Sequence, residues 1–192
     1  MEYKLKSRDG KTELSLLFVE KQEVEGQQTS FSFTCSVQNT TFSATLENIW
    51  FDESDIEVWA AIESDSEVRK FVDNKALTFK EAKAYVLENI ESYRINGYGR
   101  YAVREKSNNN LVGMCGFLDD EFGLDLGYRY SRNTWGRGIG TEAAQAVVEY
   151  GLKELGLRSI VGGVLNENVA SEKILIKLGF IFEEEAYFMG KL

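Results

Sequence analysis

The 192-residue sequence contains no histidine and no proline. Without histidine, Ser-His-Asp and Cys-His catalysis are excluded, as is any metal site built on imidazole ligands. A chain of this length ordinarily carries about 10 prolines, so proline-rich linkers and cis-proline turns are excluded too. Cysteine is scarce: Cys35 and Cys115 stand far apart. They make no metal-ligand spacing and give no ground for a disulfide, so reduced core thiols and no metal are expected. Long apolar runs are lacking as well. Met1 to Lys6 has nothing that would serve as a signal peptide, and the longest uncharged stretch, Gly26 to Leu46, holds 13 Ser, Thr, Asn or Gln among its 21 residues. No bilayer would accept that segment. Positive charge is in deficit, with 22 basic residues against 31 acidic ones and a formal charge of −9. A nucleic-acid binder needs a basic face. The expectation is one cytoplasmic domain with a sizeable core and neither membrane nor nucleic-acid partners.

The first part of the chain carries a period of two. Phe31, Phe33, Cys35 and Val37 alternate with small polar residues, and Phe42, Ala44 and Leu46 repeat the pattern after a polar turn. This predicts a hairpin over 30–46, with another strand over 12–20. Near residue 50 the character changes. Ser54 with Glu57 and Thr78 with Glu81 both fit the capping box that opens a helix. After the second, Phe79, Ala82, Val86, Ile90 and Tyr93 recur at helical spacing. Asp52 to Asp73 holds eight acids against two basic residues, which reads as a solvated helix face.

Strands are expected again at 100–106, 111–118 and 124–130, close enough in sequence for an antiparallel meander. A long helix over 139–155 closes at Gly156, a strand follows at 158–165, a short helix over 168–178 ends at Gly179, and a last strand spans 180–190. The order predicts an α+β domain with a mixed, mostly antiparallel sheet flanked by helices, 46–192, preceded by an antiparallel β extension, 1–45, of unassigned role.

Trp135-Gly136-Arg137-Gly138-Ile139-Gly140-Thr141 lies between a strand and a helix. Glycines allow close backbone approach to a ligand, and a helix start offers free N–H groups and partial positive charge, which suits a phosphate or pyrophosphate. The same glycines also fit a tightly packed connection with no ligand. Gly138-x-Gly140-x-x-Ala143 satisfies the dinucleotide fingerprint, which would make the protein a nicotinamide or flavin oxidoreductase. That fingerprint belongs to the first βαβ unit of a parallel sheet, whereas here a meander precedes it.

Tyr128 to Ala143, followed by Asn168-Val-Ala-Ser171 and Leu175-x-Lys177-Leu-Gly179-Phe180, resembles the GNAT superfamily of acyl-CoA-dependent N-acetyltransferases. The nearest group is the Rim type, named for ribosomal-protein N-terminal acetylation, and the resemblance runs over about residues 53–180. Trp135 stands where the wider superfamily has Gln or Arg and where the Rim group often has Trp. The resemblance implies an acetyl-CoA-dependent transfer to a primary amine, a protein N-terminus or a small molecule, by direct attack in a ternary complex. Acetyl-CoA is then the co-substrate and an amine the acceptor.

By position, the resemblance implies that the amides of Arg137, Gly138, Ile139, Gly140 and Thr141 hold the pyrophosphate. The edge of the strand carrying Tyr128 and Tyr130 would pair with the pantetheine arm. Asn168 would hydrogen-bond that arm, Ser171 would protonate departing CoA thiolate, and Asp125 would face the acceptor amine. Each has a plainer alternative: Asn168 as an N-cap, Ser171 as a helix-start serine, Asp125 as an outward strand residue. A non-catalytic acyl-CoA-binding or protein-interaction module on the same fold is the alternative for the whole. Only 12 residues follow Phe180, where relatives carry more strands. The expected last strand would therefore be covered by the N-terminal hairpin or by a second copy of the chain in a homodimer.

Overall fold

The computed structural model describes residues 4–6, 13–15, 31–37, 40–46, 49–120, 123–165 and 167–180. Two short hairpins come first. β1 (Lys4–Lys6) pairs with β2 (Glu13–Ser15), and β3 (Phe31–Val37) pairs with β4 (Thr40–Leu46), both antiparallel. The alternation over 31–46 thus becomes the expected hairpin, with Phe31 opposite Leu46 and Val37 opposite Thr40. The strand expected over 12–20 is seen as β2, and the rest of that stretch lies outside the described residues.

The chain then builds helices α1 (Ile56–Glu63), α2 (Ser66–Arg69) and α3 (Phe79–Asn96). The meander β5 (Arg100–Arg104), β6 (Leu111–Asp120) and β7 (Gly123–Tyr130) follows, then α4 (Ile139–Lys153) and α5 (Val169–Lys177). The sheet runs β5-β6-β7, antiparallel throughout, and Ala102 N–H donates to the Ile49 carbonyl at 2.7 Å on the outer side of β5.

The two faces of the sheet carry separate apolar layers. Tyr101, Cys115, Phe117, Leu126 and Tyr130 pack against Ala144, Val147 and Tyr150 of α4 and Leu175 of α5. On the other face Ala102, Leu111 and Met114 meet Trp59, Ile62, Ala82 and Val86 of the first helices. Helices thus cover both faces of one sheet. The alternation of strand side chains does this directly, since Tyr101 and Ala102 are neighbours in sequence and belong to opposite layers. Among the described residues no helix is long and apolar enough to cross a membrane.

Caps behave as local chemistry dictates, with one shift. Thr78 Oγ1 accepts from Glu81 N–H while the Glu81 carboxylate accepts from Thr78 N–H at 2.8 Å, and α3 ends at Gly97 with φ of 77°. The Ser54–Glu57 box is not formed. Asp52 and Asp55 make it instead, two residues earlier, around a 3-10 turn (Glu53–Asp55) that leads into α1. Of the residues at helical spacing, Ala82 and Val86 are buried and Phe79, in the first turn, is exposed. Replacing Thr78 by Ala leaves a free N–H in that turn. The expected loss is about 1 kcal/mol of unfolding free energy, read as a lower urea midpoint; an unchanged midpoint would show the cap to be idle.

The acid-rich stretch is not one solvated face. Asp55 is buried and pairs with Arg104 at 2.6 Å. Glu63, with none of its side chain exposed, lies between Arg69 and Arg129. Arg129 sits 5.8 Å and 5.6 Å from the ring centres of Trp59 and Tyr85. Buried acids of this kind require cationic partners, and two of these, Arg104 and Arg129, come from strands distant in sequence.

The other core layer holds weak acids in their neutral form. Burial pushes the Cys115 thiol from 9.0 up to about 12, and burial of Tyr128 pushes its hydroxyl from 10.0 up to about 12, against the hydrogen bond with Ser171. The unfolded chain therefore releases these protons at lower pH than the native protein. Stability from this source is complete below about pH 9 and falls as pH rises from there toward 12. Melting temperature is expected to be level from pH 7 to about pH 9 and to decline beyond it. A flat melting profile to pH 11 would contradict this.

Candidate functional site

β7 is where the sheet opens. Residues 158–165, expected as a strand, touch the sheet through a single parallel bridge, Asp125 to Val161. Leu126 N–H donates to the Val161 carbonyl at 2.7 Å, and Val161 N–H donates to the Leu124 carbonyl at 2.9 Å. The segment then turns toward α5, where a Cβ on Gly162 would strike Leu175. A full ladder does not form because the chain leaves the edge to reach its helix. By strand alternation, the backbone groups of Tyr128 point off the same outer edge as those of Leu124 and Leu126. Beyond Leu126 no strand pairs with that edge among the described residues.

The open edge runs toward the glycine-rich loop. Trp135 anchors the loop by donating from its indole N–H to the Tyr130 carbonyl at 2.8 Å, and the Thr134 hydroxyl donates to the Ser131 carbonyl at 2.6 Å. Gly136 and Gly138 have φ of 74° and 83°, a region costly for other residues. Gly138 is the N-cap of α4, and no side chain caps that end. The first N–H groups of α4 therefore have no partner within the helix. A Cβ at Gly138 would meet nothing within 4 Å. The space in front of the helix start is open, which is the shape an incoming anion needs. Gly140 differs: a Cβ there would crowd Tyr130 and Ile174 at 3.1 Å and 3.2 Å, so its role is close packing of α4. Arg137 pairs with Glu105 at 2.7 Å at the exposed rim.

Across the cleft stands the start of α5. Asn168 is its N-cap, its side-chain oxygen accepting from Ser171 N–H at 3.2 Å. The Tyr128 hydroxyl lies 2.9 Å from Ser171 Oγ and donates to the Ser171 carbonyl at 3.1 Å. Tyr128 and Tyr130 stack with ring centres 6.1 Å apart. The structure thus brings Tyr128, Ser171 and Asn168 together, with Tyr130, stacked on Tyr128, packing at Gly140 of the loop.

Asp125, expected to face an acceptor amine, is instead engaged on both oxygens. Oδ2 pairs with Arg100 Nη2 at 2.6 Å, and Oδ1 accepts from Gly163 N–H at 3.2 Å. Arg100, Gly163 and Glu105 were not singled out from the sequence. Arg100 lies in register with Gly116, which lies opposite Gly127, a row that only strand pairing creates. Two glycines abreast leave a lane for one long side chain.

A family model for the acetyltransferase (GNAT) domain matches residues 46–181. The chain belongs to the GNAT family. It is 31% identical over 142 residues to the uncharacterised N-acetyltransferase p20 of Bacillus licheniformis, covering 71% of this chain and 78% of that protein. A GNAT-family acetyltransferase from Bacillus anthracis shares the fold with a TM-score of 0.61 and 29% identity, over 72% of this chain and 80% of that one. The ribosomal L7/L12 α-N-protein acetyltransferase RimL, solved with coenzyme A, has the same fold with a TM-score of 0.61 at 20% identity, over 73% of this chain and 84% of that one. The protein is an N-acetyltransferase, and the family implies acetyl-CoA as donor. Among its described residues no group of three acids or cysteines is arranged to hold a metal ion.

Proposed function

We propose that this acetyltransferase binds acetyl-CoA along the open edge of β7 and passes the acetyl group directly to a primary amine in a ternary complex. One observation carries the reading: an uncapped helix start, opened by Gly138 with free space at its Cβ position, lies at the end of a strand edge that is unpaired beyond Leu126 among the described residues. The amides of Arg137, Gly138, Ile139, Gly140 and Thr141 hold the pyrophosphate. Tyr128 offers its outward backbone groups to the pantetheine amides, as an added strand would. The Asn168 side-chain oxygen serves α5, which leaves its NH₂ for the same arm.

The neutral amine attacks the thioester carbon, the C–S bond breaks, and the amine's extra proton leaves to water. Sulfur departs with growing negative charge and takes a proton from Ser171, which recovers one from water. Tyr128, kept protonated by burial, supports Ser171 Oγ from 2.9 Å. The direct test is thermal stabilisation by acetyl-CoA, followed by free-thiol release across a panel of amines that includes peptide N-termini, polyamines and amino acids. Stabilisation with amine-dependent thiol release is expected. Absence of any stabilisation by acetyl-CoA would overturn the reading. Stabilisation with no amine acetylated would instead favour an acyl-CoA-binding module.

A further inference from the structure

We propose that Asp125 and Arg100 form a pin that sets where the pantetheine cleft opens, and that Asp125 is a positioning residue and not the base for the amine. The inference rests on the acetyl-CoA reading above and deepens it.

Asp125 stands at the fork. Its neighbours Leu124 and Leu126 hold Val161 from both sides of the backbone, and its Oδ1 takes the N–H of Gly163 just beyond that bridge. One carboxylate thus joins β7 to the segment that is about to leave it. Its other oxygen is tied to Arg100, which starts on β5, two strands away. Neighbouring strands lie about 4.8 Å apart, so the Arg100 and Asp125 side chains together span two strand spacings, with the guanidinium lying over Gly127. The crossing is possible only over glycines. A Cβ on Gly127 would occupy the guanidinium itself, and Gly116 has no side chain to stand in the lane. On the way Arg100 Nη1 donates to the Gly116 carbonyl at 2.6 Å and to the Asp125 carbonyl at 3.2 Å.

The fork position has a consequence for ligand capture. With Leu126 N–H the last group paired to Val161, the Leu126 carbonyl and the N–H and C=O of Tyr128 are the next outward groups of the edge, and no strand pairs with them among the described residues. Moving the fork by one pairing step would either cover Tyr128 or lengthen the open edge away from Ser171. The pin therefore fixes which backbone groups meet the pantetheine.

The same geometry withdraws Asp125 from proton transfer. The side chains of Arg100 and Asp125 are 9% and 15% exposed. A base must accept the amine's proton, and a protonated Asp125 would leave a buried guanidinium without its counter-charge and loosen the Gly163 bond. Both Asp125 oxygens are already engaged, and the amine's proton goes to solvent.

The test is calorimetric titration of two probes into the intact protein: acetyl-CoA, and adenosine 3′,5′-bisphosphate, the nucleotide end alone, which does not reach β7 at Asp125. For Asp125→Ala and Arg100→Gln, the acetyl-CoA dissociation constant is expected to rise at least tenfold while that of the bisphosphate stays within twofold. Asp125→Asn, which keeps one acceptor oxygen, should fall between. With a reactive amine, kcat of Asp125→Asn at saturating acetyl-CoA should stay within a few-fold, with the acid limb of its pH profile in place. Unchanged acetyl-CoA affinity overturns the pin. A kcat lowered about a hundredfold with the acid limb lost makes Asp125 the base and overturns the positioning role. If Asp125→Ala does not fold, Arg100→Lys, which keeps the cation and loses the fork of donors, is read in the same way. Failure of the wild-type protein to bind acetyl-CoA would overturn the reading of the cleft and the pin with it, whereas unchanged affinity in the variants overturns the pin alone.

Discussion

Replacing Gly138 by Asp is expected to weaken acetyl-CoA binding by well over tenfold, more than about 1.4 kcal/mol, while the fold survives. Two effects act together. The residue caps α4 at φ of 83°, where a side chain is strained. The new carboxylate would also stand before N–H groups that attract phosphate, adding like-charge repulsion at the pyrophosphate. The fold tolerates the change because a Cβ at this position meets no protein atom within 4 Å. A Gly138→Asn variant separates the two effects, since Asn tolerates this backbone region better than most residues and carries no charge. Isothermal titration should rank wild type, Asn and Asp in falling affinity. If the Asp variant binds acetyl-CoA as tightly as the wild type, the loop is structural packing only.

Ser171→Ala is expected to lower kcat by about a hundredfold at neutral pH, the low end of what positioned proton transfer contributes. Acetyl-CoA affinity should stay within a few-fold, because the pyrophosphate site lies at the far end of the cleft. The deficit should shrink as pH passes about 8.5, the pKa of an ordinary thiol, above which CoA can leave as a thiolate. Tyr128→Phe removes the hydroxyl 2.9 Å from Ser171 Oγ. Groups that act as one unit lose less together than the sum of their separate losses, so the double variant should be hardly slower than Ser171→Ala alone. Rate measurements from pH 6.5 to 9.5, with chemistry shown to be rate-limiting, decide the matter. Unchanged turnover would reduce Ser171 to a residue of the first helical turn.

Much of the architecture was legible before any coordinates. The Thr78–Glu81 box, Gly179 after α5, and the alternation over 31–46 act within a few residues of themselves. Each therefore meant the same thing in the sequence as in the fold. The same holds for the helix start at Gly138, where residue type and backbone angle go together. The capping box that was expected two residues late shows the margin of such readings. Asp and Ser both cap well, and the structure places the cap at Asp52, ahead of the 3-10 turn that leads into α1.

By itself the sequence determined local conformation, the two faces of each strand, and the residue types gathered around the candidate cleft. Tertiary structure alone decided which charges are buried and what they hold. Glu63 looked like one acid among eight, yet it lies between Arg69 and Arg129, the latter contributed by β7. Asp125 looked like a carboxylate free to meet an amine, yet Arg100 reaches it from two strands away across paired glycines. The strand expected over 158–165 became a single bridge because the segment leaves the β7 edge after Val161 to reach α5. Capping and alternation depend on neighbours in the chain. Ion pairing and edge pairing depend on neighbours in space, and the energy of burying a charge is settled only when those neighbours are in place.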